Sequence, residues 1–151
     1  MRFVTFETNE NSIKLWGEKY IDWTKPIRVL EGVIDALFVD NSLALAGASV
    51  NKALEYIKAK QKIALGKTDK SKIVICLDND YKENQQVLDL LKNRIKENYS
   101  VLIYDKKFNK KDMNAIITKS KWTIAELNAY IEKRTFTGLR ATLELSQQGV
   151  K

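Results

Sequence analysis

The chain has 151 residues, with 26 Lys and Arg against 19 Asp and Glu, a formal net charge of +7, no His, one Cys and one Pro. The absence of His beside a lone Cys76 excludes a zinc site of any usual ligand set, and with it Ser-His-Asp and Cys-His catalysis, so any chemistry falls to carboxylates, amines and hydroxyls. A single Cys makes no internal disulfide and fits a reducing, cytoplasmic compartment; no run of about 18 apolar residues offers a membrane span, and residues 1–25 mix charges where a signal peptide is apolar.

The first expected element is a short strand over residues 2–6, followed by an irregular stretch carrying Trp16, Tyr20 and Trp23. Pro26 interrupts, and Ile27–Leu30 reads as a buried strand. After Gly32, the spacing of Val33, Ile34, Leu37 and Phe38 predicts a helix. A second apolar run covers 43–46. Ser49 or Asn51 then caps a long helix reaching about residue 65. Residues 66–72 form a loop before IVICL at 73–77, the strongest buried-strand signal in the chain. A helix over 83–97 follows, with Val87, Leu88, Leu91 and Ile95 on one stripe. A strand over 101–104, a basic loop over 106–111 and a short helix from Met113 come next. Thr123-Ile-Ala-Glu126 has capping-box spacing and opens a helix to about residue 133. A last helix covers 138–148.

Alternation of strand and helix predicts an α/β fold: a mostly parallel, Rossmann-like sheet of about four strands with helices on both faces, plus C-terminal helices. The expected organisation is a lead-in over 1–25, a core over 26–121 and a helical extension over 122–151. Ligand sites in such sheets lie outside the carboxyl ends of the strands.

The positive charge is uneven. Residues 52–72 carry seven lysines against Glu55 and Asp69, and residues 106–121 carry six against Asp112. Two basic segments on a mildly acidic remainder fit a nucleic-acid footprint, and equally fit solvated helix faces.

Acidic residues fall where the strands should end. Ile27–Leu30 runs into Glu31-Gly32, with Asp35 nearby; 73–77 runs into Asp78-Asn79-Asp80; the fourth strand leads to Lys111-Asp112-Met113-Asn114. If residues 78–80 are extended, Asp78 and Asp80 point the same way. If the first and third strands are neighbours, Glu31 and Asp78 face each other. Such a cluster calls for protons or a cation, and Mg²⁺ suits carboxylate oxygens. With lysines nearby the set fits phosphoryl chemistry. Helix capping is the competing role for any single Asp here, and a receiver-type signalling domain uses a similar pattern.

Glu31-Gly32-x-x-Asp35-x-Leu37 followed by Asp78-x-Asp80, each after a strand, resembles the Toprim domain of bacterial-type primases, type IA and II topoisomerases and small nucleases. Lys111-Asp112-Met113-Asn114, the stretch 25–41, Ala44-Leu45-Ala46-Gly47-Ala48 and Thr135-Phe136-Thr137-Gly138-Leu139-Arg140-Ala141 resemble the T-even-type phage primases, over residues 14–148. Tyr81, Lys82 and Glu83 stand where many Toprim proteins place a glycine after the second Asp.

The resemblance implies Mg²⁺-dependent nucleotidyl transfer, making RNA primers from ribonucleoside triphosphates on single-stranded DNA beside a replicative helicase, with Mn²⁺ as a possible substitute and no zinc. By position, Glu31 and Asp35 would be catalytic. Asp78, Asp80 and Asp112 would hold metal. The charge distribution adds Lys110, Lys111, Lys60 and Lys62 as nucleotide or nucleic-acid contacts, and the resemblance of Lys111-Asp112-Met113-Asn114 to the Lys-Asp-x-Asn element of those primases adds Asn114. Phage primases also carry an N-terminal zinc module, so this chain is expected to be a C-terminal catalytic portion or a stand-alone relative. A small Toprim nuclease and a non-catalytic helicase-docking module built on the two C-terminal helices remain as rival readings.

Overall fold

A computed structural model describes residues 13–106 and 108–149. The strand expected at 2–6 lies outside the described residues, as does Lys107 of the basic loop. Five strands form one sheet: β1 (Ile27–Leu30), β2 (Ser42–Ala44), β3 (Ile73–Cys76), β4 (Ser100–Leu102) and β5 (Thr135–Thr137). Their order is β2-β1-β3-β4-β5. The first four run parallel, and β5 pairs antiparallel to β4, with Val101 opposite Phe136.

The continuous apolar runs explain the centre. Every residue of β1 and β3 is buried, as expected for parallel strands covered on both faces. Arg28 is the polar exception on β1. Its Nη1 donates to the Asp40 carbonyl at 2.8 Å and its Nη2 to Glu132 Oε1 at 3.3 Å, which satisfies a buried charge.

The helices are α1 (Val33–Ala36), α2 (Val50–Leu65), α3 (Gln85–Lys96), α4 (Met113–Ser120), α5 (Ile124–Arg134) and α6 (Gly138–Gln147). The β2-α2-β3 and β3-α3-β4 crossovers step the same way along the sheet, so right-handedness places α2 and α3 on one face. The β1-α1-β2 crossover steps the opposite way and puts α1 on the other. There α1 packs on α4 and α4 on α5, while α6 packs on α3.

The caps follow the sequence. Ser49 accepts from the Lys52 amide at the start of α2, and Gly66 ends that helix at φ 72°. Thr123 and Glu126 form a complete capping box on α5. Asn128 of α5 is buried and ties the two layers together: it accepts from the Asp40 amide and donates to the carbonyls of Phe38 and Ile124, all within 3.0 Å.

Several boundaries differ from the sequence expectation. The helix after Gly32 is a single turn, and Leu37 is exposed. The strand β5 was not anticipated. Trp16 exchanges backbone hydrogen bonds with Ala44 beside β2, and Trp16 and Trp23 pack on the core, whereas Tyr20 is exposed. Among the described residues no helix is long and apolar enough to cross a membrane.

Candidate active site: a carboxylate rim at the strand ends

Because β1 and β3 are neighbours in register, with Leu30 opposite Cys76, the residues that follow them meet at one rim of the sheet. Glu31 is exposed, and its Oε1 accepts a hydrogen bond from the Asp78 amide at 3.3 Å. Asp35 sits in the one-turn helix α1. Its Oδ1 accepts from the Asn114 amide at 2.8 Å, so the start of α4 docks on it. Gly32 leaves room for this carboxylate, since a Cβ there would stand 2.6 Å from Asp35 Oδ2.

Asp78 is the electrostatic centre. Burial, then the charges of Glu31 and Asp35, push its carboxyl up to about 7. Asp112 adds to the rise, and Lys111 opposes it from 3.7 Å. Burial, with Asp112 contributing, also raises Asp35. One strand end therefore carries more negative charge than its cations neutralise.

Asp80 does not share a strand face with Asp78. The ladder stops at Cys76 and the chain turns at Asn79-Asp80, so the extended geometry expected for 78–80 is replaced by a turn. The Asp80 carbonyl accepts from the amides of Glu83 and Asn84, while its Oδ1 is buried without a hydrogen-bond partner. Asp112 caps α4 by accepting from the Ala115 amide at 2.7 Å. Asn114 reaches Asp35 through its backbone.

Asn79, to which the sequence reading gave no role, is the clamp of the rim. Its Nδ2 donates to the carbonyls of Phe108 and Lys110, both at 3.1 Å, and its amide to the Lys111 carbonyl at 2.7 Å. The basic loop is thereby fixed against the Asp-x-Asp turn. A short amide residue between two strand-end aspartates signals a turn of this kind.

Lys60 and Lys62 do not join the site. Helix α2 starts above the carboxyl end of β2 and runs back towards the amino end of β3, so its last turns lie at the opposite rim. Lys60 pairs there with Glu18 at 2.7 Å. Of the lysines of 52–72, those from Lys60 onward lie towards the rim opposite the carboxylates, whereas Lys52 stands in the first turn of α2, at the carboxyl end of β2.

Hard carboxylate oxygens, an unpartnered Asp80 Oδ1 and a repelled Asp78 make a donor set compatible with Mg²⁺, which keeps most of its waters and needs one or two carboxylates. Among the described residues no group of three or more His, Cys, Asp or Glu lies close enough to hold one metal ion together. A cavity of about 640 Å³, lined in part by Arg28, Asp40, Asn41 and Glu132, does not include the rim carboxylates. The chain matches no protein-family model and no curated protein.

Proposed function

We propose that this chain is a Mg²⁺-dependent nucleotidyl-transfer domain of the phage-primase type, acting on single-stranded DNA with ribonucleoside triphosphates and working beside a replicative helicase. The observation that carries the reading is the meeting of Glu31 and Asp78 across the β1–β3 seam, where burial first, and then the charges of Glu31 and Asp35, raise the Asp78 carboxyl to about 7.

In this reading Asp78 and Asp80 hold the cation. When bound, Mg²⁺ supplies charge neutralisation at the α-phosphate and makes the attacking 3′-hydroxyl more acidic. The chain's own groups do the rest. Glu31 is exposed at the strand end, where it accepts the proton of the attacking hydroxyl as the new P–O bond forms and pyrophosphate leaves. Lys111, exposed and close to Asp78, pairs with a nucleotide phosphate, and Lys110 extends that surface. Asp35 positions α4 through the Asn114 amide. The Asp78 proton must leave before a cation binds, so Mg²⁺ affinity rises with pH through about 7.

The test incubates the chain with single-stranded DNA, labelled ribonucleotides and Mg²⁺. Labelled oligoribonucleotides are expected, and Glu31→Gln and Asp78→Asn should each abolish them. Cleavage of the DNA without incorporation would overturn the proposal in favour of a nuclease using the same carboxylates.

A further inference from the structure

The loop that Asn79 clamps carries a second feature. Four aromatic rings gather behind it. Tyr104 and Phe108 stack with centroids 5.5 Å apart, and Phe108 and Tyr130 stack at 5.3 Å. Trp122 meets Tyr130 edge-on at 5.3 Å and Phe108 at 6.1 Å. Tyr104 is fully buried, with its hydroxyl donating to the Leu77 carbonyl at 3.2 Å. Phe108 and Trp122 are only half-buried. An aromatic mini-core needs no cation around it, yet this one is bracketed along the chain by Lys106, Lys110, Lys119 and Lys121.

We propose that Phe108 and Trp122 form a stacking platform for a base of single-stranded nucleic acid, placed beside the carboxylate rim. Each half-buried ring is rigidly backed by a buried or partly buried neighbour, which lowers the ordering cost of presenting it. Partly exposed aromatic rings bracketed along the chain by lysines suit a polyanion that carries planar apolar groups, which describes an unpaired strand. Position adds to this. Asn79 bonds the Phe108 and Lys110 carbonyls directly, so the platform lies one residue away from Asp78 in the hydrogen-bond network. A strand whose base rests there would bring its backbone to Lys110 and Lys111. The inference rests on the nucleotidyl-transfer reading for its substrate class, and deepens it by assigning the base contact.

The experiment measures fluorescence anisotropy of the full chain with labelled oligothymidylate and with an abasic oligomer of equal length. The wild type should prefer the base-bearing strand by about tenfold. Phe108→Leu and Trp122→Leu should each erase that preference and leave abasic binding unchanged. Lys110→Ala with Lys121→Ala should weaken both oligomers and flatten the salt dependence. Because the cluster also packs, a second measurement leaves it intact: in a Trp16→Phe/Trp23→Phe chain, oligothymidylate should quench Trp122 emission and the abasic oligomer should not. Equal affinity for the two oligomers, binding of neither, or unquenched Trp122 overturns the platform. Preference without nucleotide incorporation would sink the catalytic reading alone; incorporation without preference would sink the platform alone.

Discussion

Replacing Asp78 by Asn should stabilise the metal-free protein, by an amount that grows as pH rises from about 4 and levels off above about 7. The carboxyl moves from an ordinary value of 3.8 to about 7 on folding, through burial and the charges of Glu31, Asp35 and Asp112, against the opposing Lys111. Taken in full, such a change is worth about 4 kcal/mol of unfavourable ionisation. Asp78 keeps partial contact with solvent, with a side chain 26% exposed, and water screens its neighbours. The usable figure is therefore roughly 1–2 kcal/mol. The sign follows from linkage. A folded-state value raised above the unfolded one gives stability that is present below the unfolded value and is lost as pH rises through the folded value. The loss accumulates between 3.8 and about 7. Asn keeps the shape and removes the charge. Thermal unfolding in chelator should show Asp78→Asn melting roughly 2–8 °C above wild type at pH 8, with the gap closing as pH falls to 4. Equal destabilisation at both pH values would refute the reasoning, because it would make the carboxylate a structural acceptor.

Three further outcomes follow from the fold. Asn128→Leu leaves the Asp40 amide and the Phe38 carbonyl without their partner, so denaturant unfolding should show a loss of about 2–3 kcal/mol. Asn79→Ala should cost about 1–3 kcal/mol, and limited proteolysis should cut within residues 108–111, where that side chain holds the Phe108 and Lys110 carbonyls. The Cys76 thiol is buried and pushed up to about 12; at pH 8 a thiol reagent should therefore modify it only at the rate of unfolding.

The parts of the fold that were legible in the sequence are those fixed locally. IVIC is a continuous apolar run and IRVL is broken only by Arg28; both are wholly buried, as central parallel strands are. The Thr123–Glu126 box and the Ser49 cap are set by side chains reaching two or three residues along the chain. Strand β5 was not legible. Thr135-Phe136-Thr137 has one buried residue, and its strand character comes from pairing with β4, where the Thr137 and Ser100 hydroxyls meet at 2.6 Å.

The site divides along the same line. Glu31 and Asp78 could be placed together only on the condition that the first and third strands are neighbours, which the order β2-β1-β3 meets. Asp80 could not, because the turn that begins at Asn79 depends on the loop of residues 108–111 arriving to accept its hydrogen bonds. The lysines show a different failure. Counting charge along the chain put Lys60 and Lys62 near the carboxylates, whereas a helix returning between parallel strands must carry its last turns to the opposite rim. Phe108 and Trp122 carried no periodic signal, and only the fold brings them within 6.1 Å.

The proposed nucleotidyl transfer depends on Mg²⁺ at the turn between Asp78 and Asp80. Titrating Mg²⁺ into isotope-labelled protein, and following backbone amides by NMR, tests it most directly. Saturable shifts are expected at Glu31 and residues 78–80 in the wild type, and their loss when Asp78 and Asp80 are both replaced by Ala. Identical titrations of the two proteins, or shifts confined to residues away from that rim, would contradict it.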